Sequence, residues 1–138
     1  MSSIRVRLAN EADNEAILAL ASQCPQEGMI TYFPNRTPRF NTIHRLIDSG
    51  AWHFVACKGD EIIGLVGVIH FQAMVLGRPC KIGYMLDLRV HKEYRSGLAA
   101  FRLVRAAVDH VEQSDADMVI VNFLKDNKRP MVFAQGRG

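Results

Sequence analysis

The sequence has little of what marks the specialised classes of protein. Cysteine is scarce: Cys24, Cys57 and Cys80 are three in 138 residues, widely spaced and without a Cys-x-x-Cys pair. Neither a zinc site nor a disulfide framework is indicated, and a reducing cytoplasm is the expected location. No apolar run approaches the ~20 residues that span a bilayer. The N-terminus, Met-Ser-Ser-Ile-Arg-Val-Arg, lacks the apolar core of a signal peptide. Charge of one sign is not concentrated either: the net charge is +3, with Lys and Arg in both halves. That suits a polyphosphate ligand and is too small to argue for nucleic acid. Repeats, low-complexity tracts and linkers are missing. What remains is ordinary globular composition, 49% hydrophobic and 22% charged. A chain of this length buries roughly two thirds of its unfolded surface, so residues 1–138 are expected to form one domain.

Local pattern supplies the elements. Ile4 to Leu8 alternates apolar and polar residues as a half-buried strand does. Asn10 can cap a helix carrying Ala16, Ile17, Leu20 and Ala21, with Asp13 in its first turn and Pro25 and Gly28 closing it. A loop from Met29 to Pro38, rich in aromatics and prolines, leads to a short helix around Asn41 to Asp48, stopped by Gly50. Trp52 to Lys58 and Glu61 to His70 read as a hairpin about Gly59-Asp60. Gly77-Arg78-Pro79 turns the chain into a strand, Lys81 to Val90, rich in Ile, Leu, Met, Val and Tyr. Leu98, Phe101, Val104, Val108 and Val111 then recur on one face of a helix ending near Ser114. Met118 to Phe123 is a continuous apolar run, expected as a strand buried on both faces, and Asp126 to Gly138 as a last helix.

The most informative stretch is Asp87 to Ala100, where a strand passes through a tight turn into a helix. Such a junction offers free backbone N–H groups to an anion. Gly97 supplies a positive φ or close approach of a ligand to the backbone, and the Arg95 guanidinium can grip phosphate in bidentate fashion. Together they make a pyrophosphate cradle; the bland alternative is a simple turn.

Val90 to Ala99 resembles motif A of the GNAT superfamily of N-acetyltransferases, in which a strand ends in Val-x-Pro-x-Tyr and continues as Arg-x-x-Gly-x-(Gly or Ala) into a helix. Lys92 stands where the family often has proline, and Arg95-Ser96-Gly97-Leu98-Ala99 has one residue fewer between Arg and Gly. Ile4 to Leu8 with Asn10-Glu11-Ala12-Asp13 resembles the family's first strand and helix cap, and Asp60 to Gly67 its third strand. The resemblance implies an α+β fold: a central, twisted, mostly antiparallel sheet with helices on both faces. It also implies acetyl-CoA as co-substrate, with the backbone of Leu88, Arg89 and Val90 on the pantetheine arm. Arg95, Ser96, Gly97, Leu98, Ala99 and Ala100 would hold the pyrophosphate. Asn127 matches the asparagine that opens motif B, and Gly138 the glycine that closes it. In the family further strands follow motif B; here either a C-terminally truncated domain is expected, or another chain supplies those strands, as in a homodimer that completes the sheet, or they are dispensed with.

Two residues are candidates for the chemistry. Asp87 is the only carboxylate in an otherwise apolar strand, three residues before the cofactor loop. As a base it would help to free a lysine-like amine, of which about 0.1% is neutral at pH 7. Otherwise it is a strand acid, solvated or paired to Arg89. Some polyamine-acetylating relatives carry a Glu-Asp pair here, and Leu86 replaces the glutamate, which points to Asp87 as a binder of substrate cation or a base acting through water. The family's general acid, a tyrosine in motif B, falls on Ala134 beside Phe133. Tyr84 is the nearest alternative, a buried structural tyrosine being the plain reading. His44, His53, His70, His91 and His110 show no ligand spacing, and His91 lies closest to the cradle. Cys57 and Cys80 have no local His partner.

The expected function is transfer of an acetyl group from acetyl-CoA to a primary amine, with no metal, nucleic acid or membrane involved. The rivals are a non-catalytic acyl-CoA-binding or regulatory module and an interaction domain that pairs through its sheet edge.

Overall fold

The computed structural model describes residues 3–24, 35–95 and 97–122. Several expectations therefore lie outside the described residues: closure of the first helix by Pro25 and Gly28, most of the Met29 to Pro38 loop, Ser96, Phe123, and everything placed on Asn127, Phe133, Ala134 and Gly138.

Five strands form one sheet in the order β1-β2-β3-β4-β5: β1 is Ile4–Leu8, β2 Trp52–Lys58, β3 Glu61–Val75, β4 Arg78–Val90 and β5 Met118–Val121. The first four pair antiparallel in sequence order; β5 runs parallel to β4 and is reached through a helical crossover. The helices are α1 (Asn14–Gln23), α2 (Thr42–Ile47) and α3 (Ala99–Glu112). Asn10 and Asp13 form a reciprocal capping box ahead of α1, the Asn10 N–H donating to Asp13 at 2.8 Å. The α+β class and the mostly antiparallel sheet expected from the sequence are both present. No described helix is long and apolar enough to cross a membrane.

Three expectations need correction. The β3–β4 turn is Leu76-Gly77, at φ 50° and 78°, rather than Gly77-Arg78-Pro79. Two consecutive left-handed residues match the twist of a two-residue hairpin. Pro79 is tolerated inside β4 because at that level β4 has no second strand neighbour among the described residues.

The buried stripe of α3 is Ala99, Leu103, Ala107 and Val111, whereas Leu98 and Phe101 are about half exposed, at 57% and 50%. The helix lies close against the sheet where the strands carry glycine: a Cβ on Gly64 would sit 2.8 Å from Leu103 Cδ1, and one on Gly83 2.7 Å from Val111 Cγ1. Finally, β5 is not buried on both faces, since Val119 and Val121 are exposed. α3 packs mainly across β2, β3 and β4 and leaves them uncovered.

The sheet divides the interior in two. One face, under α3, gathers Ala56, Ile63, Val66, Val68, Met85 and Val90 with the helix stripe. The other, under α1 and the segment before α2, gathers Ile17, Leu20, Cys24, Phe40, Val55, Cys57 and Leu65.

Candidate active site

The β4–β5 ladder ends at the pair Met85–Val121, yet β4 continues to Val90 with β3 alone beside it. From Leu86 to Val90 the β5 side of β4 has no strand partner among the described residues, so its backbone groups face a fork between the two strands. Within this stretch β4 carries a bulge: the register shifts between Leu65 and Gly67, and Val66 faces both Asp87 and Leu88. Asp87 takes φ 57°, a left-handed conformation that aspartate adopts more readily than most residues.

At the outer end of the fork α3 begins. Leu98, its N-cap residue, makes no side-chain cap, so the amides of the first turn are open to a ligand. Arg95 Nε donates to the Val90 carbonyl at 3.0 Å, which pins the guanidinium at the end of β4 beside those amides. Val90 and Ala99 are buried, Leu98 is exposed and Ala100 is half-buried, so the last three line one short path from strand to helix. Gly97 is not in the left-handed region, and a Cβ there would meet only the Tyr94 carbonyl at 3.5 Å. His91 is spent on the turn: its Nδ1 accepts from the Glu93 N–H at 3.3 Å and caps the 3-10 turn Lys92–Tyr94. Arg89 turns its side chain away from the cradle, toward the Cys24 carbonyl, and presents only its backbone to the fork.

Asp87 is neither solvated nor paired mainly to Arg89. Arg36 grips it in bidentate fashion, Nη1 at 2.5 Å from Oδ2 and Nη2 at 2.9 Å from Oδ1. His44 Nε2 lies 3.2 Å from Oδ2, and Arg89 Nη2 stands 3.6 Å from Oδ1. Burial alone would raise this carboxyl; the hydrogen bond to His44 and the charges of Arg36 and Arg89 outweigh it and hold the group well below the usual carboxylate range. An anion so firmly ionised, with both oxygens engaged, is a weak direct base and a strong electrostatic anchor.

The chain of contacts goes further. His44 Nδ1 lies 2.7 Å from His53 Nε2, and Phe40 meets the His53 ring edge-on at 4.9 Å. A single proton lies between the two nitrogens, so at least one ring must be neutral. Burial, then the neighbouring His44, bring His53 down to about 4 and make it the neutral partner. Arg36, His44 and His53 were not singled out by the sequence, since positions 36, 44, 53 and 87 share no spacing and meet only in the fold.

Tyr84 stands on the next-to-last rung of the β4–β5 ladder, opposite Ile120, at the apex of the fork. Its hydroxyl accepts a hydrogen bond from Asn122 Nδ2 at 3.3 Å. A larger cleft of about 440 Å³ lies at the other end of α3, lined by Trp52, His70, Lys81 and His110 among others, and contains none of the expected site residues. No cluster with metal-binding geometry occurs among the described residues.

Comparison with known proteins agrees with this geometry. No curated protein matches the sequence. Among solved structures, a transcriptional regulator from Bacillus halodurans C-125 superposes with a TM-score of 0.75 at 17% identity, covering 99% of this chain and 92% of the other. Glucosamine-6-phosphate N-acetyltransferase from Arabidopsis thaliana gives 0.71 at 19% identity, covering 99% and 90%. An AAC(6')-Iy structure holding the bisubstrate analog CoA-S-monomethyl-acetylneamine gives 0.76 at 16% identity, with the same coverage of 99% and 90%. At these identities the likeness is one of fold. The family model for the acetyltransferase (GNAT) family matches residues 14–136, nearly the whole sequence, and this chain belongs to that family.

Proposed function

We propose that this protein transfers an acetyl group from acetyl-CoA to the primary amine of a small molecule or peptide. The observation that carries the reading is the fork: from Leu86 to Val90, β4 has no strand partner on its β5 side among the described residues, and it runs directly to the uncapped N-terminus of α3 and to Arg95. One end supplies hydrogen bonds to an amide-bearing arm, and the other supplies N–H groups and a guanidinium to a diphosphate. In this scheme Leu88, Arg89 and Val90 pair with the pantetheine through their backbone. Arg95, Ser96, Gly97, Leu98, Ala99 and Ala100 surround the pyrophosphate, with Asn127 contributing from motif B.

The amine nitrogen attacks the thioester carbon, the C–S bond breaks, and the thiolate takes a proton. Tyr84, at the apex of the fork, is assigned as the donor of that proton. The amine attacks in its neutral form, its proton having left through water, and Asp87 stands on the acceptor side as the fixed negative charge that offsets Arg36 and Arg89. The saturated, ionised state of Asp87 also supports a second reading, an acyl-CoA-binding module without turnover.

Release of CoA thiol from acetyl-CoA over a panel of primary amines separates the readings. Turnover with any amine supports transfer, and binding of CoA without thiol release leaves the binding module. Failure to bind CoA removes both. Asp87→Asn is expected to lower kcat/KM while CoA affinity is kept.

A further inference from the structure

We infer that Arg36, His44 and His53 are positioning residues for acetyl transfer: a buried chain of hydrogen bonds that acts through Asp87 to set the β4 bulge, and with it the backbone N–H groups offered to the acetyl end of the thioester. The inference rests on the acetyl-transfer reading and adds to it the control of that end of the site.

The chain draws on four parts of the molecule. Arg36 comes from the segment ahead of α2, His44 from α2, His53 from β2 and Asp87 from β4. Each link is short: 2.7 Å between the imidazoles, 3.2 Å from His44 to Asp87, 2.9 Å from Arg36 Nη1 to His44 Nε2. His44 and His53 are 4% and 5% exposed, so neither can touch a substrate directly. Stability does not explain such a cluster, because a buried ion pair is commonly replaced by apolar side chains at no loss. Its termination does point to a purpose. Of all the residues on β4, the chain seizes Asp87, the one at φ 57° in the bulge, and holds both of its oxygens.

The carboxylate cannot shift without moving the backbone that carries it. A bulge leaves one residue outside the ladder, and here that residue lies where β4 has lost β5 as a neighbour. Left free, this stretch would relax toward regular pairing with β3, which turns its amides away from the fork. The clamp therefore fixes the direction of the N–H groups at Asp87 and Leu88, and a backbone donor aimed at a developing oxyanion works only when its direction is fixed in advance. Arg36 is suited to this in a way lysine is not, since its planar fork sets the carboxylate's orientation as well as its charge.

The test uses the full chain and two conservative variants, Arg36→Lys and His53→Gln, each compared with wild type in acetyl transfer and in CoA binding. Arg36→Lys is expected to lower kcat about 10²-fold, the loss typical of a misplacement of about 1 Å, with the CoA dissociation constant within about twofold and partial recovery on adding methylguanidinium. A second readout does not need turnover. In wild type the backbone amide resonance of Leu88 should differ between the CoA-bound and acetyl-CoA-bound states, and in both variants that difference should vanish while the Ala99 and Ala100 amides still respond to CoA. Unchanged kcat in Arg36→Lys, or a Leu88 difference that survives in both variants, overturns the inference and leaves the acetyl-transfer reading standing. Absence of any amide response to CoA in wild type overturns the acetyl-transfer reading itself.

Discussion

The two faces of the sheet are built from different materials. Under α3 the fully buried core is aliphatic apart from Met85, and the strands carry glycine where the helix comes closest, Gly64 against Leu103 and Gly83 against Val111. Among the described residues, the four that are both polar and buried, Asp13, His44, His53 and Arg89, lie on the other face, as does the half-buried Asp87. Burying such groups costs free energy unless every one finds a partner, so the second face gives up stability for fixed charge and direction. The α3 face anchors the fold and the helix whose N-terminus receives the diphosphate in the proposed reading; the α1/α2 face would then orient the transferring end.

Substitutions that strike one face and spare the other test this division. The largest effect is expected from Leu103→Ala. Leu103 is fully buried under α3, and its truncation should cost about 2–5 kcal/mol. Chemical denaturation measures this, and a loss under about 1 kcal/mol would show that α3 is not the main anchor.

Acidification should act most strongly on the other face; on the α3 side His110 is also held below its ordinary value, by burial and by the neighbouring His70. The His53 value of about 4 in the folded protein lies below its ordinary 6.5, so between these pH values the unfolded chain binds more protons. Stability is complete above pH 6.5 and falls as the pH drops toward 4, by on the order of 2–3 kcal/mol. Asp13, paired with Arg7 at 2.7 and 2.9 Å, and Asp87 are both held below the usual carboxylate range. Their contributions persist above the ordinary carboxylate pKa and are lost at still lower pH, as each protonates. Denaturation midpoints from pH 7 to 4 should therefore slope, and the slope should flatten in His53→Gln; an equal slope in that variant would assign it elsewhere.

Arg95→Ala should leave both cores intact and weaken CoA by roughly 1.5–3 kcal/mol, the range for a hydrogen bond to a charged group. Calorimetry that finds no change removes Arg95 from the cradle. The smallest effect on stability is expected from Gly97→Ala, where a Cβ has room at 3.5 Å. The change should stay within about 0.5 kcal/mol, whereas CoA affinity should fall if a ligand passes over this backbone. Unaltered affinity would make Gly97 a plain turn residue.

Much of the α3 side could be read from local pattern. Trp52 to Lys58 and Glu61 to His70 are apolar-rich runs punctuated by Gly59-Asp60, and the cradle is contiguous from Val90 to Ala100, so short-range rules suffice. Pro79 misled because proline reads as a turn, while at an unpaired edge it fits a strand. On α3 Val111 is buried as expected and Val104 and Val108 are partly buried, but Leu98 and Phe101 give way to Ala99, Leu103 and Ala107: volume favours Phe101 for the core, while the helix sets Leu103 and Val111 onto Gly64 and Gly83. The α1/α2 face was illegible for a different reason. Asp87 stood out as a lone acid in a strand, yet its partners Arg36, His44 and His53 are ordinary polar residues in ordinary places. Only long-range pairing gives them meaning, and local pattern holds no record of it.

The fork has one more consequence, and it concerns motion rather than recognition. β4 meets β5 over four residue pairs, from Ile82–Met118 to Met85–Val121, against eleven with β3. A short parallel ladder at the border of a sheet is where cooperative structure opens at the lowest free-energy cost. Amide protons of Val119 to Val121 should accordingly exchange with solvent sooner than those of β3. A molecule lodged between the strands then does more than occupy a site: it ties shut the loosest seam of the protein, and slower exchange along β5 is the trace it should leave.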